Sequence, residues 1–124
     1  MTLLGVSVTQ PVEHIEPIAL GDAHRLTSVS FQVTEFTSVC PVTGQPDYYD
    51  ITIRMEPSIE SKSLKLWLWQ YRNTGIFCEM LAQDILDEVV VMTHPYSASV
   101  TVAQASRGGI QCTSTAVYNG EENG

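Results

Sequence analysis

Few side chains in this 124-residue chain can do covalent chemistry, and the three cysteines, Cys40, Cys78 and Cys112, come first among them. They are odd in number, no pair has zinc-finger spacing, and His14, His24 and His94 are scattered, so spacing points to no metal site. The apolar start at Met1–Gln10 carries no Lys or Arg and so lacks the basic region of a secretory leader. The expectation is reduced thiols in a cytoplasmic protein. Cys40 lies in a stretch punctuated by Pro41, Gly44 and Pro46. By residue type alone it is either a nucleophile, active as thiolate, or a small buried hydrophobe. Asp47 follows Pro46, where an Asp commonly caps a turn.

Charge narrows the partners. Six Lys+Arg against fourteen Asp+Glu leave a net charge of −8, too little positive charge to bind a polyanion through its phosphates. A small phosphate site made of two or three cations remains open. Lys62 and Lys65 are three residues apart near the start of a helical pattern, on one face and at the end that favours anions. With Arg107 they make half of the six basic residues. Gly108 and Gly109 either let backbone approach a ligand closely or form a hairpin turn.

The elements that must position these residues follow from periodicity. Val29, Phe31, Val33 and Glu35 alternate with Ser30, Gln32, Thr34 and Phe36, which predicts a strand over 28–36. Residues 37–47 read as a loop. Tyr49, Ile51, Ile53 and Met55 predict one buried face of a second strand over 48–56. From Lys62 the pattern turns helical: Leu64, Leu66, Trp67, Leu68 and Tyr71 predict a helix over 61–72, buried on more than one side. Phe77, Leu81, Ile85 and Val89 at i+4 intervals predict a second helix over 76–91, stopped before Pro95. Strands over 96–103 and 110–118 close the chain, with Ser106–Gly109 as the turn between them. The resulting order is strand, strand, helix, helix, strand, strand. It predicts an α+β domain with two helices on one face of a four-stranded antiparallel sheet. Residues 1–27 read as an N-terminal arm, 28–118 as the domain and 119–124 as a disordered tail. A domain this small buries only about two-thirds of its unfolded surface. Self-association would relieve that, and no apolar run reaches the ~20 residues of a membrane helix.

Three stretches together resemble the QueF family: EFTSVCPVTGQPD over 35–47, ESKSLKLWLWQYRN over 60–73 followed by Gly75, Phe77 and Glu79, and RGGI over 107–110. That family comprises NADPH-dependent nitrile reductases that convert 7-cyano-7-deazaguanine to its aminomethyl form in queuosine biosynthesis. The resemblance implies the tunnelling fold, with short members assembled as pentameric rings or decamers whose sites lie between subunits. It implies Cys40 as the nucleophile that turns the nitrile into a thioimide, and Asp47 as the acid that protonates the nitrile nitrogen, a role that calls for burial. Glu79 would accept hydrogen bonds from the deazaguanine N–H edge, with Phe77, Cys78, Glu60 and Ser61 also at the substrate. Lys62, Lys65, Arg107, Gly108 and Gly109 would serve NADPH. The family's reductases read His-Gly-Asp-Phe-His-Glu where this chain has Thr74-Gly75-Ile76-Phe77-Cys78-Glu79, so Cys78 replaces a histidine beside the substrate. Placed there, Cys78 is expected near Cys40. Two alternatives follow from that change. One is an amidinotransferase like archaeosine synthase, acting on deazaguanine-modified nucleic acid without NADPH. The other is a binding protein that holds a deazapurine without reducing it.

Overall fold

The computed structural model describes residues 11–12, 15, 28–56, 59 and 61–120. Most of the expected arm over 1–27, the whole of 121–124 and Glu60 lie outside them. Four strands form one antiparallel sheet in the order β1-β2-β3-β4, from β1 (Val29–Val39), β2 (Pro46–Glu56), β3 (Ser97–Gln104) and β4 (Thr113–Asn119). Between β2 and β3 come α1 (Ser61–Trp69), a 3₁₀ turn (Gln70–Asn73) and α2 (Cys78–Thr93). The fold is therefore α+β, in the strand and helix order expected.

The core lies between the sheet and the helices. Ile51, Ile53 and Met55 of β2 and Val100 and Val102 of β3 meet Leu64 and Trp67 of α1 and Leu81, Ile85 and Val89 of α2, all nearly inaccessible to water. Each such side chain contributes roughly 1.5–3 kcal/mol through burial. The face read from β2 is the buried one, and it continues through Asp47, which shares the parity of Tyr49 and Ile51.

Strand β1 departs from simple alternation. Val33 pairs with Ile51 and Phe36 with Tyr49, so β1 spends one residue more than β2 over that step. This bulge reverses the parity. Glu35, expected on the face of Val29, Phe31 and Val33, is exposed, whereas Phe36 and Ser38 are buried. Ladder pairing then carries β1 to Val39 and starts β2 at Pro46, which shrinks the expected loop to Cys40–Gln45. Pro46 is tolerated because it is the first residue of its strand.

Helix boundaries also shift. α1 is shorter than expected, and its last turn tightens into the 3₁₀ segment, closed by the Thr74 amide donating to the Tyr71 carbonyl. α2 begins at Cys78, so Phe77 is its cap residue and is half exposed rather than part of the buried face. At the other end His94 adopts a left-handed conformation (φ 49°) and its amide donates to the Val90 carbonyl, ending the helix just before Pro95. β4 starts at Thr113 rather than Ile110 and runs through Asn119. The preceding turn is centred on Gly108 and Gly109, both at positive φ (59° and 80°), with reciprocal backbone hydrogen bonds between Arg107 and Ile110. A side chain at either glycine would be strained, so the turn explains both.

Candidate functional site

The Cys40–Gln45 turn is closed by two backbone hydrogen bonds, from the Cys40 amide to the Gln45 carbonyl and from the Gly44 amide to the Cys40 carbonyl (both 2.8 Å). Gly44 sits at φ 73°, a conformation that other residues take only with strain. The turn folds back over the Cys40 sulphur. Hydrogen bonds from the Thr43 side chain and backbone and from the Val42 backbone favour the thiolate and lower the thiol's pKa, against burial and the charge of Asp47. Thr43 is a site residue that the sequence analysis did not single out. Its signal was its place three residues after Cys40, inside the same turn.

Asp47 follows on β2, facing Ser38 across the ladder, and is 6% exposed. The burial expected of a proton carrier is present, but its direct partner is a cation. The Arg107 guanidinium donates from Nη1 to Oδ1 at 2.8 Å. Arg107, expected with Lys62 and Lys65 at the cofactor's phosphates, reaches Asp47 from the glycine turn, and Lys65 lines a groove between α1 and β1.

Backbone hydrogen bonds set the next segment beside Cys40. The Val39 amide donates to the Thr74 carbonyl (3.0 Å) and the Ile76 amide to the Val39 carbonyl (3.2 Å), a short parallel bridge. Gly75 lies against Pro41, where a Cβ would stand 3.6 Å from the Pro41 Cα. This lacing carries Phe77, Cys78 and Glu79 to the same end of the sheet as Cys40 and Asp47. Glu79 is exposed in the first turn of α2 and accepts from the Cys112 thiol (3.7 Å). Cys78 is buried, and its thiol donates to the Cys112 carbonyl (3.5 Å). Burial first, then the Cys112 thiol and the Glu79 charge, push the Cys78 thiol up to about 12. The thiol expected near Cys78 was Cys40. The one that hydrogen-bonds it is Cys112, brought 34 residues along the chain by the loop before β4.

Tyr49 links the two halves of the site. It is buried, Gln104 Nε2 approaches its hydroxyl at 3.5 Å, and it feels the charge of Asp47. Desolvation pushes its phenol up to about 12, so it stays a neutral donor at working pH. Ser38 is fully buried beside it, and its hydroxyl works against the desolvation of the phenol. Neither residue stood out in the sequence, since strand periodicity gives only a face.

The remaining expected residues sit on α1. Ser61 and Lys65 are exposed and line a groove of about 910 Å³ with Leu64, Trp69 and Arg72, against Ser30–Thr37 of β1. The Arg72 guanidinium stacks 4.5 Å above the Trp69 ring. Lys62 lies on the same helix and is partly buried. Among the described residues no helix is long and apolar enough to cross a membrane, and no group of three His, Cys, Asp or Glu side chains is arranged to hold a metal ion.

Comparison with known proteins bears on this arrangement. Residues 46–123 match the family model described as "QueF-like protein". The chain is 43% identical over 121 residues to the NADPH-dependent 7-cyano-7-deazaguanine reductase of Syntrophus aciditrophicus (strain SB), covering 95% of this chain and 86% of the relative. It is 42% identical over 113 residues to the protein of the same name from Thermomicrobium roseum, covering 89% and 88%. Among solved structures, the apo form of the archaeosine synthase QueF-Like superposes with a TM-score of 0.69 at 25% identity, over 76% of this chain and 94% of that one. The chain belongs to the QueF family.

Proposed function

We propose that this chain is an NADPH-dependent nitrile reductase acting on 7-cyano-7-deazaguanine, as the names of its relatives state for them. The observation that carries the reading is the pairing, at one end of the sheet, of a buried thiol with a lowered pKa and a buried carboxylate whose charge reaches it. A nitrile carbon accepts hydride poorly. Addition of the Cys40 thiolate converts it to a thioimide, and Asp47 passes the proton to nitrogen. Glu79, exposed at the α2 N-terminus, offers two acceptor oxygens to the N–H edge of a guanine-like base, and the half-exposed Phe77 beside it suits stacking on that base. Ser61 and Glu60 are assigned to the substrate through the motif that contains them.

NADPH supplies hydride to the thioimide carbon. The groove between α1 and β1 fits such a group: its volume is within the range of cofactor pockets (about 300–1,000 Å³), and Lys65, Arg72 and Trp69 offer charge and an aromatic face. Lys62 and Lys65 would hold phosphate from α1, and Arg107 with its glycine turn would do so from the site's edge. The outer edges of β1 and β4 are not paired within the described sheet, so a second copy placed edge to edge would extend it. Rings of five copies, or two such rings, are the assembly proposed, with the groove along β1 shared between neighbours. Residues 28–118 are proposed as the catalytic domain, in a cytoplasmic enzyme.

The solved neighbour supports a second reading, an amidinotransferase that adds ammonia to the thioimide. One assay separates the two. Incubation with the free nitrile base and NADPH should consume NADPH and yield the primary amine. Adduct formation with NADPH left intact would favour the transferase, or a binding protein if the adduct is never released.

A further inference from the structure

We infer that Tyr49 is a positioning residue for the proton-carrying step: its hydroxyl, held by Gln104, sets the Ser38 hydroxyl against Asp47 and so aims the carboxyl group that serves the nitrile. This rests on the reading that Asp47 carries the proton, and adds the residues that hold it in place. The core-facing side of the sheet changes character at its last two rungs. Through the middle it is apolar, with Ile53 beside Val100 and Ile51 beside Val102. One rung on, Tyr49 stands between Phe36 of β1 and Gln104 of β3, and at the next Asp47 stands opposite Ser38. Ser38, Asp47 and Tyr49 are all buried there. Hydroxyls in such places do little for a fold, since apolar groups of the same shape serve about as well. A row of them ending at the acid of the site points to use in the reaction.

Donors and acceptors run in one direction along the row. The Tyr49 ring is fixed edge-on against Phe36, with centroids 5.8 Å apart. Gln104 Nε2 donates to the Tyr49 hydroxyl at 3.5 Å. The phenol keeps its own proton, because burial pushes its pKa up to about 12. With Gln104 donating to its oxygen, that proton goes to Ser38, whose hydroxyl lies against it. Ser38 then gives its proton across the ladder to Asp47. Directly opposed side chains on one face have Cβ atoms about 4.5–5.5 Å apart, a span that a hydroxyl and a carboxylate bridge. Asp47 is thus held from two sides, by Arg107 at Oδ1 from the solvent and by Ser38 from within. A guanidinium that is 55% exposed fixes a carboxyl group weakly by itself, whereas hydrogen bonds linked in a buried row strengthen one another. The α2 side chains at this end are engaged elsewhere, the Cys78 thiol on the Cys112 carbonyl and Glu79 with the Cys112 thiol. In the addition step the S–H bond of Cys40 breaks, an S–C bond forms and one π bond of the nitrile opens. The thiol's proton passes to Asp47 and a proton leaves Asp47 for the nitrogen. Ser38 and Tyr49 keep theirs, and nothing is oxidised or reduced.

The test sets a reaction of Cys40 that needs a proton carrier against one that does not. Full-length wild type, Tyr49→Phe, Ser38→Ala and the double variant are mixed with the nitrile base, acid-quenched over time and weighed by intact-protein mass spectrometry. In parallel, Cys40 is alkylated with iodoacetamide, which consumes the same thiolate and asks no proton of Asp47. Tyr49→Phe removes one oxygen and leaves the ring in place. It should slow adduct formation and kcat about tenfold, the worth of one hydrogen bond in a row that ends on a charged group. KM for the base and for NADPH, and the alkylation rate of Cys40, should stay at the wild-type values. Ser38→Ala should match it, and the double variant should be no slower than either single one, because each breaks the same row. Tyr49→Phe at the wild-type rate overturns the inference. So do losses that multiply in the double variant, or alkylation slowed as much as adduct formation, which mark a general disturbance of the fold. All three leave the reading of Cys40 and Asp47 standing. No adduct in wild type overturns that reading, and the inference with it.

Discussion

Cys40 and Cys78 are both buried thiols at the ends of regular elements, and their surroundings push them in opposite directions. Cys40 ends β1 in a six-residue turn whose Thr43 and Val42 hydrogen bonds favour its thiolate. Cys78 opens α2, where a helix N-terminus ordinarily favours a thiolate. There, burial, the Cys112 thiol and the Glu79 charge outweigh the helix and keep the thiol neutral. A cysteine's position on an element is thus a weaker guide to its reactivity than the donors and charges packed around it. The turn readies one thiol to attack. The helix start uses the other as a donor to the Cys112 carbonyl.

The sharpest way to break this contrast is to remove the attacking thiol. Cys40→Ala should abolish both covalent adduct and turnover, with peptide mapping by mass spectrometry as the check. An adduct on Cys78 or Cys112 in the wild type would reverse the assignment. Asp47→Asn, which keeps the shape and loses the proton carrier, should lower kcat by about 10²–10⁴-fold in steady-state assays. The thiols themselves can be compared by alkylation. At pH 8 a thiol titrating near 12 is only about one part in ten thousand thiolate, so iodoacetamide should label Cys40 at least about a hundredfold faster than Cys78. Raising the pH should narrow the gap, because Cys78 gains thiolate with each step while Cys40 approaches saturation. Equal labelling at pH 8 would contradict the account.

These expectations show what was legible in the sequence. Both faces of β2 and the buried stripe of α2 were readable because strands and helices have fixed periods. The motif around Cys40 carried the family and so the candidate acid. The bulge in β1 was not readable, since one extra residue costs the local pattern nothing yet moves Phe36 and Ser38 inward and Glu35 out. The Asp47–Arg107 pair spans 60 residues and the Cys78–Cys112 contact 34. Only the folded sheet brings those partners together, and a single sequence holds no sign of either pairing.

Smaller effects sharpen the comparison further. Lys62→Ala and Lys65→Ala should each raise the KM for NADPH about tenfold and leave adduct formation by the nitrile unchanged, since they sit on α1 rather than beside Cys40. Cys78→Ser should be the mildest, with kcat within about threefold of wild type. A hydroxyl replaces a neutral donor to the Cys112 carbonyl, at a cost near that of one ordinary hydrogen bond.

The central claim is that Cys40 carries the substrate covalently and that hydride from NADPH discharges it. Single-turnover mass spectrometry tests this most directly. Protein incubated with the nitrile base should gain the mass of one base per chain, mapped to Cys40, and the added mass should disappear when NADPH is supplied, with the primary amine released. A persistent adduct in the presence of NADPH, or amine formed with no adduct at Cys40 at any time, would contradict it.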